Sequence, residues 1–114
     1  MRLLLALGLV AATSLPAVAQ DLPEGVDQLM TCGHVYALRS TEARDAGDEG
    51  AAIEFFHMGD ALIWQAKTTL EGAGYTAAEI DSVDMNYALT TGFNYGAGMS
   101  EQMLADCLAA SDSP

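Results

Sequence analysis

An all-α fold, a small up-down bundle of about four helices closed by one disulfide, follows from three features of this chain. Apolar residues recur at helical spacing over four segments, and no stretch alternates convincingly as a strand would. Glycine stops and capping residues separate the segments. Cys32 lies early in the first segment and Cys107 late in the last. In up-down-up-down order the first and last helices are antiparallel neighbours, so the two cysteines meet, and the topology and the disulfide support each other.

The leading residues stand apart from this pattern. Arg2 precedes an apolar run, Leu3–Leu15; Pro16 ends it, and Ala17-Val18-Ala19 offers small residues where a signal peptidase reads. The run is shorter than the roughly 20 residues that span a bilayer. Residues 1–19 are therefore expected to be a secretory signal peptide. Residues 20–114 are expected to form a single helical domain in the bacterial periplasm or medium, with no membrane insertion after cleavage. In that oxidising setting an even pair of cysteines reads as a disulfide, and the lack of Cys-x-x-Cys disfavours redox or haem chemistry.

The first helix is expected over Gly25–Arg44, with Leu29, Met30, Gly33, Tyr36, Ala37, Ser40 and Ala43 on one face and Cys32 at its edge. Gly47 stops it. The second, Asp48–Gly72, is the longest clean pattern and holds the only Trp and two of the three Phe, so the chain is expected to organise around it. Asp48 is its N-cap. Its core face collects Ala52, Phe55, Phe56, Gly59, Leu62, Ile63, Ala66 and Leu70. A narrower ridge carries Ile53, His57 and Trp64, bordered by Asp60 and Lys67.

Thr76-Ala77-Ala78-Glu79 is a capping box and opens a third helix that runs to about Tyr95. Ile80, Val83 and Tyr87 make one apolar side; Ala78, Met85, Leu89 and Phe93 make the other. A helix apolar on both sides is expected to lie between neighbours. Asn94–Gly98 reads as a loop, and Ser100 as the cap of a last helix to about Ala110, with Met99, Met103, Leu104, Cys107 and Leu108 inward.

Charge narrows the function. The chain has a net charge of −12, and loss of Arg2 with the leader leaves Arg39, Arg44 and Lys67 against 16 carboxylates, a net charge of −13. Phosphate recognition needs clustered Lys or Arg, so nucleic acid is excluded as a partner. A basic protein partner fits. No cofactor motif is present. His57 and Asp60, at i and i+3, form half of an acid–base pair, and a small enzyme built on them is one alternative. A metal-handling protein using His34, His57 and the methionines is another, although adjacent His57 and Met58 point about 100° apart. Gly96-Ala97-Gly98 before a helix lacks the following Lys or Arg of a phosphate cradle. The reading with most support is a non-enzymatic binding or accessory protein. The Ile53, His57, Asp60, Trp64 ridge is expected either to pack on another helix or, where exposed, to be the partner surface, because Trp dominates binding hot spots.

Overall fold

The structure, a computed structural model, describes residues 22–111. The expected signal peptide and its cleavage site lie outside the described residues. Helices α1 (Val26–Asp45), α2 (Glu49–Gly72), α3 (Ala77–Asn94) and α4 (Ser100–Ser111) follow in order, with a π-helical turn, Tyr95–Met99, joining α3 to α4. Among the described residues there is no strand.

Local chemistry places the helix starts where the sequence does. The Asp48 carboxylate accepts the Ala51 amide at 3.1 Å. In the capping box the Thr76 hydroxyl accepts the Glu79 amide at 3.2 Å, while Glu79 accepts the Thr76 amide at 2.8 Å. The expected loop at Asn94–Gly98 is instead helical. Only Gly98 leaves helical geometry, at φ 97°, where a left-handed residue redirects the chain. Ser100 is itself helical and does not cap α4.

This continuity means that the expected bundle of four separate helices is not quite matched. The described residues form three helical arms, the last of them kinked at Gly98. The hub is also not α2, as the long apolar pattern suggests, but α1, which packs against α2, α3 and α4. Val26, Met30, Cys32, Gly33, Val35, Tyr36 and Ser40 are all buried, a wide arc of the helix surface that only several neighbours can cover.

The α1–α2 seam is close because its central residues are small. Ala52, Gly59 and Ala66 recur every seven residues and are buried. A Cβ added to Gly59 would sit 2.7 Å from the Gly33 carbonyl oxygen and 3.2 Å from the Ala37 nitrogen. Ser40 donates to the Ala52 carbonyl at 2.6 Å, closing the open end of the seam. Larger residues gather on either side of this crossing in two clusters. Val26, Met30, Ala66, Leu70, Ile80 and Val83 form one. Cys32, Val35, Tyr36, Tyr95, Leu104 and Cys107 form the other, with Phe55 stacked on Tyr36 at 6.0 Å between ring centres. Burying each large apolar side chain contributes about 1.5–3 kcal/mol.

Cys32 and Cys107 are joined, with their Cα atoms 5.5 Å apart across a sequence separation of 75. A loop of that length removes enough unfolded-chain entropy to contribute about 4 kcal/mol. Tyr95 meets Glu42, Glu101 approaches Arg39, and Cys107 meets Cys32, so α4 runs back along α1.

Candidate functional site

The outer face of α2 is open. Ile53, His57, Asp60 and Trp64 are all exposed, with Trp64 at 68%. Phe56, expected in the core, joins them at 52% exposure. The correction has a geometric cause. The contact with α1 runs along the small residues Ala52, Gly59 and Ala66, and among the described residues no other helix covers the far side of α2. Phe55 and Phe56, about 100° apart, therefore part company, one into the core and one outward. The Phe56 ring meets the His57 ring edge-on at 5.7 Å.

The charges around this ridge are acidic. Glu49, Glu54, Asp60 and Glu71 are exposed along or beside it. The one cation on the same face, Lys67, is turned to Asp84 on α3 at 3.3 Å. At the foot of the ridge Trp64 borders a furrow of about 280 Å³ shared with Tyr75, Ile80 and Asp81. No hydrogen bond or ion pair joins His57 to Asp60 among the described residues.

The histidine that does hold a carboxylate is His34, whose Nε2 lies 2.7 Å from Asp84. Asp84 thus ties α1 through His34 and α2 through Lys67 to α3, with about a quarter of its side chain exposed. Sequence reasoning missed this node, because partners 50 residues apart leave no mark on local spacing. Its geometry is that of a three-helix clasp. Among the described residues no group of three or more His, Cys, Asp or Glu side chains stands ready for a metal ion. Gly96-Ala97-Gly98 belongs to the π turn rather than to a free loop.

Two tyrosines serve as further clasps. The Tyr87 hydroxyl donates to Asp27 at 2.6 Å, and burial, then the Asp27 carboxylate, push its phenol far above the ordinary range. Tyr95, expected in a surface loop, is buried and donates to Glu42; burial first, then Glu42, raise its phenol.

A second exposed face lies on α3. Met85, Leu89 and Phe93, expected to pack between neighbours, are 62%, 67% and 77% exposed. Ile80, Val83 and Thr91 alone are buried on this helix. The cause is the hub arrangement: α1 and α2 meet α3 from one side, α4 folds back along α1, and among the described residues no arm reaches α3's far side. An open groove of about 970 Å³ flanks the stripe, lined by Thr31 of α1, Tyr87 and Leu89 of α3 and Met103 of α4. No helix is long and apolar enough to cross a membrane among the described residues.

No protein-family model, no curated protein and no solved structure matches this chain.

Proposed function

We propose that this chain is an exported, non-enzymatic binding protein that holds a basic protein partner on the outer face of α2. One observation carries the reading: the sole tryptophan, Trp64, stands exposed with Ile53 and Phe56 on a face that no other helix covers among the described residues, inside a rim of carboxylates. Exposed aromatic and aliphatic side chains supply binding free energy once water is excluded. The rim of Glu49, Glu54, Asp60 and Glu71 selects positive charge and speeds encounter. His57, packed against Phe56, contributes contact area and a hydrogen-bonding edge rather than proton transfer.

Export is supported by the leader pattern at residues 1–19 and by the cysteine pairing that an oxidising compartment permits. In this reading the helices keep an up-down order, and the outer face of α2 is bare because it is the working surface. The metal and enzyme alternatives have no comparable support: His34 is engaged by Asp84, and among the described residues no hydrogen bond or ion pair joins His57 to Asp60.

The test is capture from a periplasmic extract at low salt by the wild-type chain and by Trp64→Ala. Basic proteins retained by the wild type should be retained at least about tenfold less by the variant, as for a central hot-spot residue. Equal retention by both chains sinks the assignment.

A further inference from the structure

Residues 85–100 contain no Asp, Glu, Lys, Arg or His, in a chain whose net charge is −12. This run covers the second half of α3 and the π turn. It carries the exposed ridge Met85, Leu89 and Phe93, at spacings of four residues. Beside that ridge, also at spacings of four, run Ala88, Gly92 and Gly96. On a helix the two rows lie side by side, one a ridge and the other a furrow.

The two glycines of the furrow have no reason within the described chain to be glycine. Their φ angles are not positive, unlike those of Gly25, Gly47, Gly74 and Gly98. A Cβ on Gly92 or Gly96 would meet nothing within 4 Å. Gly33 and Gly59 behave oppositely, since a Cβ there would strike the facing helix. Glycine is the poorest helix former after proline, so two of them on an open helical face disfavour the helix unless another body approaches closely there.

We infer that this face is the contact between two copies of the chain, packed α3 against α3 in antiparallel fashion about a two-fold axis at Leu89. The two-fold axis at Leu89 sets Leu89 against Leu89 and brings Met85 of one copy to the height of Gly92 and Phe93 of the other. A methionine sulfur beside an aromatic ring is a favourable pair. The face is also complementary in charge. The acidic end of each α3, Glu79 and Asp81, falls against the charge-free turn at Gly96 and Met99 of the copy. Within residues 85–100 no like charges are opposed. The uncharged run is roughly 24 Å long at 1.5 Å per residue. A single helix pair covers less than the roughly 800 Å² per partner of a standard interface, and the adjoining groove extends it, which suits a micromolar dimer.

Sedimentation equilibrium of the purified, disulfide-intact chain from about 1 to about 500 µM spans that affinity range. The mass should rise from one copy to two. Leu89→Asp, at an exposed position, should keep the helical circular dichroism and remain a monomer throughout. Gly92→Ala should raise the melting temperature at low concentration and weaken association at least about tenfold, a combination that a purely structural glycine would not give. Under mild oxidation Leu89→Cys should cross-link to its own copy, Phe93→Cys should not, and Phe93→Cys mixed with Met85→Cys should give the mixed dimer. A monomer at every concentration means that a foreign partner or the chain's leading residues cover this face, and overturns the proposal. So does a dimer that Leu89→Asp leaves intact, or self-linking of Phe93→Cys as fast as that of Leu89→Cys.

Discussion

On α2 the exposed Ile53, Phe56 and Trp64 stand among Glu49, Glu54, Asp60 and Glu71; on α3 the exposed Met85, Leu89 and Phe93 stand in a run without a single charge. Both faces are helical and apolar, and both lie opposite the hub helix α1. Their surroundings separate the partners they suit. A charged rim discriminates among partners by sign, while a neutral face suits a partner that shares the chain's own charge. The glycines draw the same line: Gly33 and Gly59 are consumed by packing inside the chain, and Gly92 and Gly96 are not.

The largest lever on this contrast is the disulfide. Cys32→Ser combined with Cys107→Ser should lower unfolding free energy by about 4 kcal/mol, read from denaturant midpoints at constant m-value. The loss should be uneven. Hydrogen exchange should quicken in α4 and the π turn, which back the groove beside α3, before it quickens in the α1–α2 seam that carries the Trp64 ridge. Equal loosening of both would mean that the two faces rest on one cooperative unit.

The glycines come next. Gly59→Ala forces a methyl against backbone atoms of α1 that cannot step aside, and should cost about 1–3 kcal/mol. Gly33→Ala puts a methyl 2.6 Å from Ile63 Cγ1 and 3.2 Å from the Gly59 carbonyl oxygen, and should cost a similar amount. Gly92→Ala should stabilise the monomer by about 1 kcal/mol, because only helix propensity changes. Opposite signs at Gly59 and Gly92 in thermal melts would establish that one glycine pair serves the fold and the other does not.

The smallest effect concerns alkaline pH. The Tyr87 and Tyr95 phenols are both raised in the folded chain. Below pH about 10 both states are protonated and the contribution is fully present; above it the unfolded chain ionises first, and stability falls as pH rises. Tyr87→Phe should lower the melting temperature near pH 7, where the Tyr87–Asp27 hydrogen bond is intact, and flatten the alkaline limb, so that the two chains converge at high pH. A limb of unchanged slope would mean that the Tyr87–Asp27 clasp contributes nothing.

How much of this was legible beforehand follows from the range of each signal. Helix starts at Asp48 and Thr76 rest on residues three apart, and both were readable. The Cys32–Cys107 pairing was readable because only two cysteines are present and the topology brings them together. Periodicity assigns residues to a shared face but does not say whether another element arrives to cover it. That is why Phe56 and Phe93 turned outward against expectation, and why α2 looked central when α1 is. Tyr95 went the other way: a glycine-rich segment reads as a loop, but only Gly98 uses the left-handed freedom that glycine offers, so Tyr95 stays on a helical turn and reaches Glu42. The Ile53, His57, Asp60, Trp64 ridge was legible as a row of residues; its exposure was not.

Because the chain has one tryptophan, Trp64 reports on the α2 ridge and on nothing else. The chain labelled with 5-fluorotryptophan gives a single fluorine resonance that remains readable even in a periplasmic extract. This line should shift or broaden when extract is added at low salt. It should recover at about 0.5 M salt, where the Debye length falls to a few ångströms, and should not move when the chain itself is concentrated. A line that ignores the extract, or that moves with the chain's own concentration, would contradict the assignment of the acid-rimmed ridge to a basic partner.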